Sequence, residues 1–184
     1  MHDERTDLIF VANRRFDPSR GEEWTRYIAW SGLTQLTELV TLDTMLCPVV
    51  PEELTAADWE HNVHEDYRVF WFRSLDYLRA RIAGIDGLNL LAVQGNPTLA
   101  TLRRTPAGFD FAGFDVLDVH GDVSALVNLG GAHDVFAVSE LSPLGLLEEL
   151  DRARAVRDAL RLRHPGESHA ECDVWAIWRG RGEG

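Results

Sequence analysis

The stretch Phe109-Asp110-Phe111-Ala112-Gly113-Phe114-Asp115-Val116-Leu117-Asp118-Val119 alternates apolar with acidic or small residues. That period of two is the mark of a β-strand with one buried face. Strict alternation from Phe109 sets Asp115 on the face of Phe111, Leu117 and Val119. Gly113 has no side chain to pack and marks a candidate bulge, which would flip the phase and turn Asp115 to solvent. His120-Gly121-Asp122 reads as a turn and residues 124–129 as a short returning strand. Residues 109–129 are therefore predicted to form a hairpin, ended by Gly130-Gly131.

Three further strands are predicted outward from this hairpin, at residues 7–14, 88–93 and 172–179. A helix is expected from about residue 22, where Trp24, Tyr27 and Ile28 fall on one stripe behind Glu22 and Glu23. A second is expected over 65–83, on the stripe Tyr67, Trp71, Leu75, Leu78 and Ile82, with a break at Ser74 and a stop at Gly84. A third spans 143–163, with Ser142 as cap, Pro143 in the first turn, acids early and arginines late. Residues 34–46 read as a short helix running into a strand. Thr55-Ala56-Ala57-Asp58 resembles a capping box before Trp59. Strands and helices do not alternate regularly and no repeat is visible. The expected fold is α+β, a mostly antiparallel sheet with helices packed on one face. It spans residues 1–184 as a single domain, with 179–184 as a frayed tail.

The chain has 184 residues, 45% of them hydrophobic, with a formal net charge of −12. That charge disfavours nucleic-acid backbones, and no apolar run is long enough for a membrane span. The first residues, Met1-His2-Asp3-Glu4-Arg5, lack the basic start of a signal peptide, so a cytoplasmic location is expected. Cys47 and Cys172 then read as free buried thiols. All 18 basic residues are arginine, a bias expected of a GC-rich, bacterial genome. Residues 105–151 hold nine acids and no arginine. Either basic helices neutralise them internally, or they form an acidic surface for a basic partner.

Catalytic motifs are absent: the chain has no phosphate loop, dinucleotide fingerprint, Cys-x-x-Cys pair or Gly-x-Ser-x-Gly elbow. Without lysine, mechanisms that need a lysine nucleophile are excluded. His169 and Cys172, with His164 and Cys47, form one incomplete set of metal ligands. His61 and His64, with Glu65 and Asp66, form another. Neither reaches four ligands at a familiar spacing, so no metal or other cofactor is expected. A carboxylate on an apolar face acquires a raised pKa, which makes Asp115 a candidate acid–base residue, with Asp118, His120 and His133 beside it and Asn128 and Glu140 nearby. Six tryptophans suit a core, and an exposed Trp30 or Trp178 would suit an interface.

In size, acidity and lack of a catalytic motif the chain is similar to bacterial toxin-immunity proteins, a likeness of composition that covers no motif. The expectation is a binding protein (inhibitor, immunity-type or adaptor) that offers Asp110, Asp115, Asp118, Asp122, Asp134 and Glu140 to a basic protein. The alternative is a small hydrolase-like enzyme with a carboxylate and histidine site in the 109–140 region.

Overall fold

The computed structural model describes residues 8–49, 61, 71–119, 123–128, 134–167 and 170–182. Strands β1 (Ile9–Arg14), β2 (Leu88–Gly95), β3 (Phe109–Asp118) and β4 (Cys172–Gly180) form one antiparallel sheet in the order β1-β2-β4-β3. Helices α1 (Glu22–Ser31), α2 (Leu75–Ile82), α3 (Leu99–Leu102) and α4 (Leu150–Arg163) accompany it. This is the α+β architecture expected from the sequence. Among the described residues no helix is long and apolar enough to cross a membrane.

Local chemistry sets the helix ends. Glu22 and Glu23 open α1, and Gly32, at φ 72°, closes it by donating its N–H to the Ile28 carbonyl. The Ser74 hydroxyl accepts from the Tyr77 N–H at 3.2 Å and starts α2. In α4, Leu150, Ala153, Val156 and Leu160 bury one stripe.

The two sheet faces are covered differently. On one, the α4 stripe meets Phe114, Val116, Val174 and Ala176, and Leu78 of α2 meets Ala12. The other face carries Val11, Leu91, Val93, Leu117, Trp175 and Ile177. Irregular chain covers it, through Val40, Leu42, Trp71 and Leu146. Trp71 stands edge-on to Trp175 at 5.0 Å. Irregular chain brings backbone polar groups that need partners, and this requirement shapes the site below.

Both edge strands are blunted. Phe10 of β1 exchanges two backbone bonds with Phe72, at 2.7 and 2.9 Å. Phe114 of β3 exchanges two with Leu147, at 2.8 and 3.0 Å. Further along β3, Asp118 donates to the Val123 carbonyl and Val116 accepts from the Ala125 N–H. Short pairings of this kind leave no long free edge for another chain to extend.

Several local expectations are corrected. Of the 109–129 hairpin the described residues keep only its base, an antiparallel bridge of Leu117 with Ser124, and residues 125–128 form a turn instead of the returning strand. β3 pairs with β4, and after a single bridge to Leu117 at Ser124 the chain turns, with Asn128 donating to the Ser124 carbonyl at 3.1 Å. The last helix starts at Leu150, not Pro143. Leu147 is committed to Phe114, and a residue in such a bridge cannot join a helix; the Ser142 hydroxyl instead caps a turn at the Leu144 N–H. Residues 34–46 form neither helix nor strand. Their backbone is taken up by Phe16, Pro143 and Leu144. Trp71 and Phe72 precede α2 in extended chain, so the break falls at Ser74. Residues 62–70 and the 55–58 capping box lie outside the described residues. Arg179 and Gly180 belong to β4, and Arg181 bonds to the Gly108 carbonyl and to Asp110, while residues 183–184 lie outside the described residues.

The bulge at Gly113 is present, with a register shift between Phe111 and Gly113. Phe111 lies opposite Trp178 and Asp115 opposite Trp175, so the two occupy opposite faces. The phase does flip. It sends Asp115 to a second covered face rather than to solvent, and the side chain is fully buried. Gly113 has φ 142°, and a Cβ there would sit 2.7 Å from the Leu146 Cβ and 2.8 Å from the Leu147 carbonyl oxygen. Gly113→Ala should cost about 2–3 kcal/mol and lower the melting temperature by roughly 4–12 °C. Gly84→Ala, at φ 80° with open space around it, should cost about 1 kcal/mol. Paired thermal melts check the difference.

Candidate functional site

Asp115 is where the sheet face opposite α4 becomes polar. Its Oδ2 accepts from the Thr41 hydroxyl at 2.6 Å and the Leu42 N–H at 3.1 Å. Its Oδ1 accepts from the Ser124 hydroxyl at 2.6 Å and the Val116 N–H at 2.9 Å. Four donors fill a carboxylate's capacity. Asp43 repeats the pattern: Met45 and Leu46 N–H groups donate to Oδ1, at 2.9 and 3.0 Å. The Ser124 N–H and the Asn128 side-chain amide donate to Oδ2, at 2.9 and 2.8 Å. Thr41, Asp43, Asp115 and Ser124 all have no exposed surface.

The two carboxylates thus clamp three segments together: residues 41–47, strand β3 and the 123–128 turn. Thr41 and Ser124 suit the task because a hydroxyl donates and accepts at once. Each donates to Asp115 while accepting a backbone N–H, from Asp43 at 3.1 Å and from Leu126 at 3.2 Å. Burial raises the pKa of Asp115. Bonds from Ser124, Thr41 and Leu42 oppose that shift, and the charge of Asp43 adds to it. A second polar set lies on the same face near β1 and β2. The Asn13 amide donates to the Thr41 carbonyl at 2.8 Å. Asn89 donates to Glu38 at 2.9 Å, and Glu38 also pairs with Arg179 at 2.8 Å.

The other expected site residues are distributed as follows. Asp118 is buried across the ladder from Cys172. Asp110 is exposed and accepts two bonds from Arg181, at 2.8 and 3.0 Å, which lowers its pKa. Glu140 is held by Arg152 at 2.5 and 2.9 Å and accepts from the Ala137 N–H at 2.7 Å. Those contacts bring its pKa down to about 2. Asp134 is exposed beside His164, at 3.3 Å, and Arg163. Asp122, His120 and His133 lie outside the described residues. The fold therefore joins Asp115 to Asn128 through Ser124 and Asp43, and holds Glu140 and Asp134 against α4.

Cys47 and Cys172 are both buried free thiols. Burial raises the pKa of Cys47 and takes that of Cys172 up to about 12, so both stay protonated and inert. His61 stacks on Tyr77 at 4.1 Å. His64, Glu65, Asp66 and His169 lie outside the described residues, within which no three metal-ligating side chains gather.

Three of the nine acids of the 105–151 segment meet arginines from 152–181: Arg152 with Glu140, Arg163 with Asp134 and Arg181 with Asp110. Three acids stand apart. Glu148, Glu149 and Asp151 are all exposed. Among the described residues the first two have no basic partner, and Asp151 has only Arg154 at 3.7 Å. They follow directly on Leu147, which pairs with Phe114, and Phe114 packs against the half-exposed Phe111 at 5.1 Å. Sequence reasoning counted these three acids within the Arg-free interval and as complements to the helix dipole, but did not name them as binding residues. The signal that separates them is the Arg-free interval, read together with a helix start moved to Leu150. Of the candidate interface tryptophans, Trp30 is 58% exposed and Trp178 is buried. No family model, curated protein or solved structure matches the chain.

Two outcomes test this description. Asp115→Ala strands two hydroxyls and two N–H groups, and should cost at least about 3 kcal/mol, or roughly 6–12 °C in melting temperature. The lowered pKa of Glu140 means that ionised Glu140 stabilises the fold above its ordinary value of 4.5, and that this contribution is lost as pH falls through about 2. Glu140→Gln should therefore destabilise the protein at pH 7, with the gap to the parent closing as denaturation is measured at successively lower pH below 4.5.

Proposed function

We propose that this chain is a binding protein, acting as an inhibitor, immunity-type protein or adaptor, that offers carboxylates to a basic protein partner. The supporting observation is the open end of β3. Phe111 is 44% exposed there, flanked by Asp110 in sequence and reached through the Phe114–Leu147 bridge by Glu148, Glu149 and Asp151. An exposed aromatic side chain is a suitable anchor for a binding hot spot. Unneutralised carboxylates beside it speed the encounter with a basic surface and reject acidic ones. Asp134 and Glu140, tied to α4, and Asp110, tied to Arg181, contribute charge at the rim, where a partner's arginine can share or replace the resident one. Asp115 and Asp118 act from beneath by fixing the strand that carries Phe111. Asp122 lies on the same segment, outside the described residues.

This reading also suits the clamp around Asp115. An interface needs a rigid platform, since ordering a loose one on binding subtracts from affinity. A carboxylate with no exposed surface and four donors on it is occupied in the way a structural group is.

A photo-crosslinking residue placed at position 111 tests the proposal in cells that express the chain. The expected result is a discrete adduct with a basic protein, reduced at least about tenfold by Glu148→Arg with Glu149→Arg. An adduct that survives this double reversal, or no adduct at all, contradicts it.

A further inference from the structure

We infer that a cleft at the end of the sheet opposite the 123–128 turn binds a small anionic metabolite through Arg15 and Arg79. The pairing of β2 with β4 begins only at Leu91 and Arg179, although β2 begins at Leu88. The first residues of β2 therefore part from the tail of β4, and the turn after α2 closes the gap. The result is a cleft of about 650 Å³, within the range that holds small ligands. Its charged lining is Arg15, Arg79 and Arg181 with one acid, Asp86.

The three arginines differ in availability. Arg181 is largely occupied by Asp110. Arg15 donates its Nε–H to the Leu88 carbonyl at 3.0 Å, which orients the guanidinium, and among the described residues its two terminal nitrogens have no hydrogen-bond partner. Arg79 has no carboxylate partner among the described residues. Arg15 likewise has none, so two guanidinium groups line one cleft without a carboxylate partner among the described residues. Guanidinium groups match carboxylate and phosphate oxygens in pairs. The turn itself is bare: Gly84 and Gly87, at φ 80° and 73°, have nothing within 4 Å of where a Cβ would stand, so a ligand can approach their backbone. Ile82, Ile85 and Leu88 are half-buried and offer apolar contact to a short carbon skeleton. No aromatic ring lines the cleft, which argues against a nucleobase. The ligand class that fits is a small aliphatic phosphate or carboxylate. This site is independent of the protein-binding surface proposed above.

The test is a titration of the full chain with glycerol 3-phosphate and, separately, with citrate, followed through backbone amide shifts at constant ionic strength. Saturable shifts of Gly84 and Gly87 with either probe support the inference, and the tighter of the two identifies the preferred head group. Arg79→Ala should weaken that binding about tenfold or more, and Arg15→Ala should act in the same direction. Arg20→Ala, on a side chain already paired with Glu23 outside the cleft, should leave it unchanged. Arg79 is exposed on α2, so its removal should leave the melting temperature in place. Shifts that do not saturate with either probe, or that are equal in the parent and Arg79→Ala, overturn the inference.

Discussion

The fold depends on a buried carboxylate. Asp115 sits on a sheet face that, among the described residues, is covered by irregular chain rather than by a helix. Irregular chain delivers N–H groups and hydroxyls into a region that excludes water, and each must be bonded or cost free energy. Asp115 and Asp43 collect eight such donations between them, which turns three loose segments into one platform. The bulge at Gly113 is the companion constraint. It allows Phe111 and Asp115 to face opposite ways, one toward the partly open helical side and the other into the clamp.

What the sequence revealed follows from the range of the forces involved. Local patterns identified all four strands, the Ser74 cap and the buried stripe of α4, because periodicity and capping act within a few residues. Asp115 stood out as a carboxylate among apolar neighbours, and the Gly113 bulge was visible as a glycine inside a strand. The partners were not visible. Thr41 and Asp43 lie about seventy residues upstream of Asp115, and no spacing rule links them to it. The choice of β4 over residues 124–129 as the neighbour of β3, and the late start of α4, both turn on tertiary pairing. Leu147 reads as helical until its bridge to Phe114 is known. Part of the candidate site, His120, Asp122 and His133, lies outside the described residues, so only the sequence speaks for it.

The charge distribution links fold to function. A net −12 spread evenly would oppose folding weakly everywhere. Here the arginines of 152–181 gather against the acidic segment, leaving Glu148, Glu149 and Asp151 exposed at one end and Arg15 with Arg79 in a cleft elsewhere. The two surfaces differ in sign and in the partners they suit, and the sheet held by the Asp115 clamp carries both.

The most direct measurement is a double-mutant cycle between Asp115→Ala and Ser124→Ala, read by chemical denaturation. Their hydrogen bond at 2.6 Å is fully buried and shares a network with Thr41 and Asp43. The account predicts that the two losses fall short of additive by at least about 1 kcal/mol. Additive losses would show that the clamp does not hold these segments as one unit.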